Sequence, residues 1–581
     1  MTVPDSRRLT GPNIVGPRPG AVLDVVLEDG AGDLVDAWRR AARRMLDAVG
    51  WEDEEIAVRW VRGGASLVIS APIDALYAAT EVTEWAWSEA LQGPGDDDSA
   101  GFEAARRRLA TIIEQERRPA TLALRAAARQ HGVTFLADDD RVSIGLGSGA
   151  RCWAVDRVPG PEEIDWSGVH DVPVVLVTGC NGKTTSVRLL AAVAREAGLT
   201  PGLSSTDGIW VGGSLVEDGD YSGPGGGRTV LRHPEVDCAI LETARGGMLR
   251  RGLAVDRARV ALVTNVAEDH LGEFGIDSVE QLARVKLLVT QVIPPDGWVV
   301  LNADDPLLVA GARKIAAPIV WYSTDARSPV VVAHCEGGGR AVVLDGGDIV
   351  LRAADSTTTL TTLDRVPITL SGAARHNVSN VLGVVAVARS LDLPRRAVAR
   401  GLARFRPSRR DSPGRLNVFH LGDATVIVDF AHNPHGVTAL GETARAMPAR
   451  RRLILIGQAG DRDDSAIRDL ARAAWSMAPD RVVVKEMPKY LRGRRPGEIP
   501  AIIERELAAA GAPPGAIDHA DCELDGVNRA LRWARPGDLL LLTAHEHRTE
   551  MLDLMDQLES SGWLPGAPVP RPTPAGQEAG A

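Results

Sequence analysis

The segment VVLVTGCNGKTTSVRLL, residues 174–190, predicts a β-strand, a glycine-rich turn and a helix. Glycines in such a turn let the backbone N–H groups curl around an anion, and the helix N-terminus adds its dipole. Lys183 then reaches the outer phosphates of a nucleotide as a point charge, and the Thr184 hydroxyl is placed to bind Mg²⁺. The alternative is a tight turn in which GKT occurs by chance. The candidate phosphate-loop residues are Gly179, Asn181, Gly182, Lys183, Thr184 and Thr185.

Lysine is scarce in this chain, whereas arginine is common: only five of the 66 basic residues are lysines. They are Lys183, Lys286, Lys314, Lys485 and Lys489. Solubility does not explain the choice, because both residue types are cationic. A need for a compact ammonium group, or for an amine that can lose its proton, would explain why lysine is used at these five positions. We therefore treat the lysines as candidate chemical groups, with Lys485 and Lys489 as candidates for holding an anionic substrate.

Two further strands are expected to end in side chains that could bind a metal. CAILETARGG places Glu242 at the end of one buried strand, and VALVTNVAEDHLG places Asn265, Asp269 and His270 at the end of another. The carboxyl ends of parallel strands meet at one edge of a sheet. Glu242 and His270, together with the Thr184 hydroxyl and nucleotide phosphate, would then form a Mg²⁺ site. Taken alone, His270 also fits a strand-end histidine with a local hydrogen bond.

The elements that must position these residues divide the chain into three domains. Residues 1–165 alternate strand-like runs with helical patterns and predict an α+β domain, with a loop at 93–101 and a linker at 158–166. The remaining predicted units are a central P-loop domain with a parallel sheet (166–405), a Rossmann-like α/β domain (406–565) and a disordered tail (566–581). The fold class is therefore multi-domain α/β.

Composition excludes several classes of protein. A length of 581 residues is too great for a single core. The formal charge of −11 argues against a broad nucleic-acid surface. The five cysteines show no CxxC pairing, so neither a structural zinc site nor a disulfide framework is predicted. No apolar run is long enough to span a bilayer, and no leader is recognisable. We expect a cytoplasmic protein with no nucleic-acid or membrane partner.

The motifs, taken in order, resemble the Mur ligase superfamily, which includes folylpolyglutamate synthases and the ligase half of cyanophycin synthetases. The strings SSTDGIWVGG, SGPGGGRTVL and LETARGGMLRRGL are most similar to cyanophycin synthetases. The resemblance covers about residues 168–565. The motifs are TGCNGKTT, LETARGG, TNVAEDHLG followed by Lys286, GAARHNVSN (372–380), PGRL (413–416), DFAHNPHG (429–436) and GQAGDRDD (457–464).

The resemblance implies an ATP- and Mg²⁺-dependent amide ligase. A substrate carboxylate would attack the γ-phosphate, giving ADP and an acyl phosphate, from which an amine would displace phosphate. The implied catalytic residues are Lys183, Glu242, His270 and Lys286, and the implied metal site comprises Thr184, Glu242, His270 and Lys286. Beyond the phosphate loop, the implied nucleotide contacts are Asn265, Asn377, Asn380, Arg415, Asp429, His432 and Asn433.

Lys286 has two interpretations. It follows SVEQLAR on a predicted helix, where the simplest expectation is a surface cation. The lysine at the matching position in many Mur ligases is carbamylated by CO₂, which turns a cation into an anionic ligand near the metal. Arginine cannot react in this way, because it does not lose its proton.

The N-terminal domain departs from the resemblance. LTGPNIVGPRPGAVLDV and GVTFLADDDRVSIGLGSGAR resemble the two ends of the cyanophycin synthetase N-terminal domain, but the ATP-grasp domain that follows it there is absent before Val174. One ATP-dependent site is therefore implied. The expected partners are a carboxylate substrate, such as an aspartyl or glutamyl peptide, and an amino acid; a homo-oligomeric state is left open. The competing functions are a nucleotide-binding regulator or scaffold and a P-loop ATPase or kinase.

Overall fold

The computed structural model describes residues 5–28, 31–93, 99–269, 271–354 and 356–570. An antiparallel sheet of order β1-β2-β4-β3 opens the N-terminal region. Helices cover one face of it, with Trp38 and Met45 fully buried against the sheet. The elements are β1 (Asp5–Leu9), β2 (Gly20–Val26), α1 (Gly32–Ala48), β3 (Ile56–Val61), β4 (Gly64–Ser70), α2 (Leu76–Gln92) and α3 (Ser99–Glu116).

A small second unit follows, with one helix packed on a three-stranded antiparallel sheet. Residues 158–166, predicted to be a linker, are fixed to this unit: Trp166 stacks on His131 with the ring centroids 4.0 Å apart. Of the loop predicted at 93–101, residues 99–101 begin α3 instead, and 94–98 lie outside the described residues. The elements of this unit are α4 (Pro119–Gln130), β5 (Phe135–Ala137), β6 (Arg141–Ile144) and β7 (Arg151–Ala154).

The middle region is built on an eleven-stranded sheet of order β11-β10-β9-β12-β8-β13-β14-β15-β16-β17-β18. Pairs from β9 to β16 are parallel, and both edges are antiparallel. The elements are β8 (Val174–Thr178), α5 (Lys183–Glu196), β9 (Pro201–Ser205), β10 (Gly208–Val211), β11 (Ser214–Glu217), α6 (Pro224–Leu231), β12 (Cys238–Glu242), α7 (Arg245–Arg251), β13 (Val260–Val263), α8 (Val279–Lys286), β14 (Trp298–Asn302), α9 (Pro306–Ala312), β15 (Ile319–Ser323), α10 (Pro329–Glu336), β16 (Arg340–Asp345), β17 (Asp348–Ala353), β18 (Ser356–Thr362), α11 (Arg375–Ser390) and α12 (Arg395–Arg404).

Strand β8 shows why these segments are continuous apolar runs. Val174 and Leu176 pack into a core on one face of the sheet, whereas Val175 and Val177 pack into a core on the other. A parallel strand covered on both faces needs apolar side chains at successive positions. The polar residues then collect at the strand ends, where ligands bind in open α/β sheets.

The C-terminal region is a second α/β unit with a six-stranded sheet of order β19-β20-β24-β21-β22-β23. All its neighbouring strands are parallel except β19 and β20. The elements are β19 (Asn417–Leu421), β20 (Ala424–Asp429), α13 (Pro434–Ala446), β21 (Arg452–Ile456), α14 (Asp464–Trp475), β22 (Arg481–Lys485), α15 (Glu498–Ala509), β23 (Ile517–Ala520), α16 (Glu523–Trp533), β24 (Leu539–Thr543) and α17 (Arg548–Ser560).

This architecture confirms the predicted multi-domain α/β class. Within the described residues, no helix combines the length and the apolar character that crossing a bilayer requires. Of the predicted tail, residues 571–581 lie outside the described part of the chain. In its described part, the Trp563 indole donates a hydrogen bond to the carbonyl oxygen of Pro568 at 3.1 Å.

Candidate active site

The two glycines of the phosphate loop are required by geometry. Gly182 has a φ of 84°, in the left-handed region, and caps the N-terminus of α5. A Cβ there would overlap the side-chain amide of Asn380, and one on Gly179 would overlap the Thr264 hydroxyl. Glycine is the residue that tolerates such a backbone and such close approach. The loop therefore packs tightly between β13 and α11.

Asn265, which follows β13, holds this loop in shape. Its Oδ1 accepts a hydrogen bond from the Asn181 backbone N–H at 3.0 Å, and its Nδ2 donates to the Asn181 carbonyl at 3.0 Å. The Thr264 hydroxyl donates to the same carbonyl at 2.7 Å. These bonds satisfy the backbone groups at the tip of the turn and fix its curvature.

Glu242, the last residue of β12, lies buried beside the loop. Its carboxylate accepts hydrogen bonds from the hydroxyls of Thr184 and Thr206, each at 2.9 Å. Hydroxyl and carboxylate oxygens are hard ligands of the kind that Mg²⁺ prefers, and Mg²⁺ in proteins is commonly held by one or two carboxylates plus substrate phosphates. The pair formed by Thr184 and Glu242 therefore fits a magnesium ion.

Metal binding by protein side chains alone is not indicated. In the ranges the structure describes, no group of three His, Cys, Asp or Glu side chains could hold a metal ion. His270, predicted as a ligand, lies outside those ranges. The described donors would thus hold Mg²⁺ together with phosphate oxygens.

Two of the five lysines contact carbonyl oxygens of the phosphate loop. The Lys183 ammonium donates to the Cys180 carbonyl at 2.9 Å. Lys286 Nζ donates to the Gly179 carbonyl, also at 2.9 Å. Lys286 is only 4% exposed, which excludes the alternative interpretation of a surface cation. Burial, with the positive charge of Lys183 nearby, lowers the Lys286 pKa to about 8.

The PGRL and DFAHNPHG motifs form the opposite wall of the cleft. The Arg415 guanidinium lies over the Phe430 ring, 4.3 Å from its centroid. Asp429, at the end of β20, accepts hydrogen bonds from the backbone N–H groups of Leu416 at 2.7 Å and Ala431 at 2.8 Å. Burial raises the pKa of Asp429, although the Arg415 charge opposes that shift. Asp429 thus ties the two motifs together.

His432 continues this wall and is held in its uncharged form. Burial lowers its pKa to about 4. One ring nitrogen lies 3.1 Å from the Phe430 carbonyl, and the His432 carbonyl accepts a hydrogen bond from Gln458 at 3.1 Å. A neutral imidazole presents one donor and one acceptor, which suits hydrogen bonding rather than charge neutralisation.

Residues of the C-terminal region touch the phosphate loop directly. Asn433 caps α13 through the Gly436 N–H and donates from Nδ2 to Asn181 Oδ1 at 3.2 Å. His435 Nδ1 lies 3.0 Å from Asn181 Nδ2. In the GAARHNVSN motif, Asn380 donates to Asn377 Oδ1 at 3.1 Å. The predicted residues of both regions therefore meet around one cleft.

The cleft has a volume of about 990 Å³. Two predicted residues, Gly179 and Asn433, are absent from the lining. Sequence reasoning missed several residues that do line it: Thr206, Arg245, Asp305, His376 and His435. All of them except Asp305 lie inside stretches quoted above for the resemblance, so those stretches carried a signal for them. The predicted residues that line the cleft are Asn181, Gly182, Lys183, Thr184, Thr185, Glu242, Asn265, Lys286, Asn377, Asn380, Arg415, Asp429 and His432.

One prediction about the lysines is wrong. Lys485 does not reach an anionic substrate: it is fully buried and pairs with Glu523 at 2.6 Å. Its ammonium also donates to the Thr543 carbonyl at 2.5 Å. Glu523 in turn accepts the backbone N–H groups of His545 and His547, each at 2.8 Å. Lys485 thus stabilises the loop that enters α17.

Comparison with known proteins gives two family matches. Residues 177–388 match the Mur ligase middle domain, and residues 414–545 match the Mur ligase glutamate ligase domain. Among curated relatives, cyanophycin synthetase from Synechocystis sp. is 38% identical over 360 residues, which are 62% of this chain and 41% of that protein. The chain therefore spans about two fifths of the length of the cyanophycin synthetases it matches.

Shorter relatives align over more of their own length. The UDP-N-acetylmuramoyl-L-alanyl-D-glutamate–2,6-diaminopimelate ligase of Geobacillus thermodenitrificans is 28% identical over 407 residues, 65% of this chain and 75% of that protein. The solved structure of E. coli FolC in complex with ADP is 21% identical, with a TM-score of 0.49, and the match covers 67% of this chain and 90% of that chain. With both of its ligase domains matched by family models, the chain belongs to the Mur ligase superfamily.

Proposed function

We propose that this protein is an ATP- and Mg²⁺-dependent amide ligase that joins a carboxylate substrate to an amino acid or another amine. The observation that supports it most is the single cleft in which Lys183, the Thr184–Glu242 pair and the buried Lys286 face the DFAHNPHG wall. That grouping would supply phosphate binding, metal binding and an amine in one site. The names of the relatives support the same reaction class, because each is a synthetase or ligase.

Magnesium bound by Thr184 and Glu242 would neutralise negative charge on the phosphates and polarise the γ-phosphorus. Lys183 would turn from the Cys180 carbonyl toward the outer phosphates. The N–H groups of residues 179–184 and the N-terminus of α5 would bind the same anion. Arg415, Asn377 and Asn380 would bracket the rest of the nucleotide. These groups position the phosphate chain and do not react.

The reaction follows from that positioning. A carboxylate oxygen forms a bond to the γ-phosphorus while the bond to the β,γ-bridging oxygen breaks, which releases ADP and leaves an acyl phosphate. The amine nitrogen then attacks the acyl carbon, phosphate leaves with its bonding electron pair, and the nitrogen loses a proton. Arg245 lines the cleft near Lys286, and its guanidinium is suited to a carboxylate. We assign Arg245 to the carboxylate substrate.

The two competing functions, a nucleotide-binding regulator or scaffold and a P-loop ATPase or kinase, are less well supported. A regulator needs nucleotide binding but has no need of a buried lysine beside its phosphate loop, and burying an amine without a task is costly. A kinase needs no amine acceptor. We infer a peptide-like carboxylate substrate, such as an aspartyl or glutamyl peptide, because the name of the diaminopimelate ligase includes an L-alanyl-D-glutamate unit.

The test is a phosphate-release screen of the purified chain over the amino acids, each paired with aspartyl and glutamyl peptides as carboxylate donors. We expect ADP and phosphate to appear only when a carboxylate and an amine are both present. Lys183→Ala should abolish turnover and keep the far-UV spectrum and melting temperature of the wild type. AMP as the main nucleotide product would contradict the acyl-phosphate mechanism, and turnover without an amine would favour an ATPase or kinase.

A further inference from the structure

A second cavity, of about 340 Å³, lies where the N-terminal region meets the middle region. One side is formed by residues 73–77, 116–121 and 137–139, and the other by the start of α6 and the end of α7. It shares no lining residue with the catalytic cleft. A cavity of this size is within the range that holds small organic ligands.

Most charged groups around this cavity already have partners. Arg8 forms a two-point ion pair with Asp139, and the Tyr77 hydroxyl donates to the same carboxylate at 3.1 Å. The Glu116 oxygens accept the N–H groups of Tyr77 at 2.9 Å and Ala78 at 2.6 Å. These groups build the wall and leave little capacity for a ligand.

Three buried polar atoms of the wall have no hydrogen-bond partner among the described residues: Asp74 Oδ1, Thr121 Oγ1 and Arg228 Nε. Asp74, Thr121 and Arg228 are 8%, 2% and 6% exposed, respectively. A buried polar atom left without a partner destabilises the folded state, because it has lost its hydrogen bonds to water. Native structures keep few of these, and a group of them around one cavity indicates a missing partner.

The unpaired atoms differ in charge. Asp74 Oδ2 accepts the Arg118 N–H at 2.8 Å, so the free Oδ1 is left to accept from a cationic or neutral donor. Arg228 donates from Nη2 only to Thr10, to its carbonyl at 2.9 Å and its hydroxyl at 3.0 Å. No carboxylate within the described ranges pairs with Arg228. Among the described residues, the cavity therefore offers one buried carboxylate, on Asp74, and one buried guanidinium, on Arg228, that no opposite charge pairs with.

The start of α6 adds to the positive side. This helix begins at Pro224 with no side-chain cap, and a Cβ on Gly225 would meet open space. Free N–H groups at a helix N-terminus favour a carboxylate. Arg251, at the end of α7, lines the same side. An ammonium at Asp74 and Thr121 and a carboxylate at Arg228 and α6 would satisfy all of these groups.

We propose that this interdomain cavity, apart from the catalytic cleft, binds a free α-amino acid. Its ammonium contacts Asp74 and Thr121, and its carboxylate contacts Arg228 and the N-terminus of α6. Amino acid binding in this cavity should not require ATP, because none of its lining residues belongs to the catalytic cleft. It borders α6 and α7, which are connected to the cleft through Ser222, just before α6, and Arg245, the first residue of α7.

The test is equilibrium binding of single radiolabelled amino acids to the full chain without ATP or Mg²⁺, with all twenty as probes. We expect at least one to bind at one site per chain, and its des-amino and decarboxylated analogues to bind at least about tenfold more weakly, since each lacks one charged group. Asp74→Asn should weaken binding by a similar factor. Lys183→Ala should leave it unchanged.

Asp24→Asn is the matched control. Asp24 belongs to the same region and also has an unpartnered oxygen, but it pairs with Arg7 and does not line the cavity. Arg228→Lys serves as a second variant, and the melting temperature of each variant reports folding. The proposal is overturned if no amino acid binds at 10 mM, if des-amino analogues bind equally well, or if folded Asp74→Asn and Arg228→Lys both bind as the wild type does.

Discussion

The Lys286 ammonium and the Gly179 carbonyl oxygen are joined by a 2.9 Å hydrogen bond beneath the phosphate loop. The lysine lies at the end of α8 and the glycine at the start of the loop, so the bond links two elements that are 107 residues apart. Burial lowers the Lys286 pKa to about 8, which raises the fraction of uncharged amine near neutral pH. An uncharged amine is the form that reacts with CO₂, releasing a proton and giving a carbamate.

We therefore predict that Lys286 acts as a carbamate. Lys286→Arg should lower kcat by several orders of magnitude, because arginine fixes a positive charge where an anion is required. Stripping bicarbonate should lower wild-type activity and adding it back should restore it, more strongly as the pH rises toward 8. The measurement is steady-state phosphate release. Near-normal turnover by Lys286→Arg would show that the lysine serves only as a cation.

The N-terminal region holds the segment that follows the AEDH motif. Arg59, on β3, donates to the carbonyls of Phe274 at 3.1 Å and Gly275 at 3.0 Å. A Cβ on Gly275 would collide with Val61 of the same strand. Glu273 lines the cleft and pairs with Arg245. The N-terminal region thus positions one wall of the active site.

Removing that support should slow catalysis without abolishing the fold. We expect Arg59→Ala to lower kcat about tenfold, with little change in the KM for ATP, because a small misplacement of a substrate-binding wall affects the reacting geometry. Arg62→Ala is the control, since Arg62 is an exposed arginine near the end of the same strand. Equal effects of the two substitutions would argue against a positioning role.

An ion pair between Arg548 and Asp207 bridges the middle and C-terminal regions. Asp207 is buried, and Arg188 of α5 approaches its other oxygen at 3.5 Å. We predict that Arg548→Ala slows turnover and weakens the compaction that a non-hydrolysable ATP analogue plus substrate should cause in small-angle scattering. Arg548→Lys should retain part of the turnover rate and part of the compaction, because it keeps the positive charge.

Arg472→Ala provides the comparison for that experiment, because its ion pairs with Asp469 and Glu506 stay within the C-terminal region. Domain closure should hinge near residues 406–416, which join the two regions. If saturating ligand produces no compaction in the wild type, closure is not part of the cycle.

The buried pair of Lys485 and Glu523 should be important for stability. Glu523→Gln leaves a buried ammonium without its counter-ion and should destabilise the C-terminal domain by about 3–5 kcal/mol. Although burial alone would raise the Glu523 pKa, Lys485 holds it at about 2. The stabilisation is therefore present above the usual glutamate pKa and is lost as the pH falls toward 2. Chemical denaturation of the wild type and variant at pH 7 measures it.

Arg472→Gln, which breaks exposed ion pairs, should cost less than about 1 kcal/mol in the same assay. A Glu523→Gln variant as stable as Arg472→Gln would mean that Lys485 is uncharged in the folded protein and needs no counter-ion.

Sequence patterns were most informative where local chemistry decides the structure. β8, β12 and β13 were predictable because a strand buried on both faces must be continuously apolar. The phosphate loop was predictable because glycine spacing, lysine and threonine lie within a few residues. The edge strand β1 was missed because its sequence, DSRRL, is mostly polar.

Features that depend on distant partners could not be predicted. Lys485 looked like a substrate ligand because lysine is rare, but its partner Glu523 is 38 residues away and only the folded sheet brings them together. The same limit applies to Thr206, whose bond to Glu242 spans 36 residues. The helical pattern around Lys286 left a surface position open as one of two interpretations, because only the folded chain shows that the end of α8 packs against the loop.

The contact of Gly182 with Asn380 has a consequence for protein engineering. A scan of single substitutions would find that neither position tolerates change. Part of the effect has one common cause, because the absence of a Cβ on Gly182 makes room for the side-chain amide of Asn380. Libraries that aim to change nucleotide preference should therefore vary the two positions as a pair, for example by adding Asn380→Gly to Gly182→Ala. Such a pair relieves the overlap. It keeps the cost of the left-handed backbone at position 182, about 1–2 kcal/mol, and adds the loss of the Asn380–Asn377 hydrogen bond and the cost of a glycine within α11.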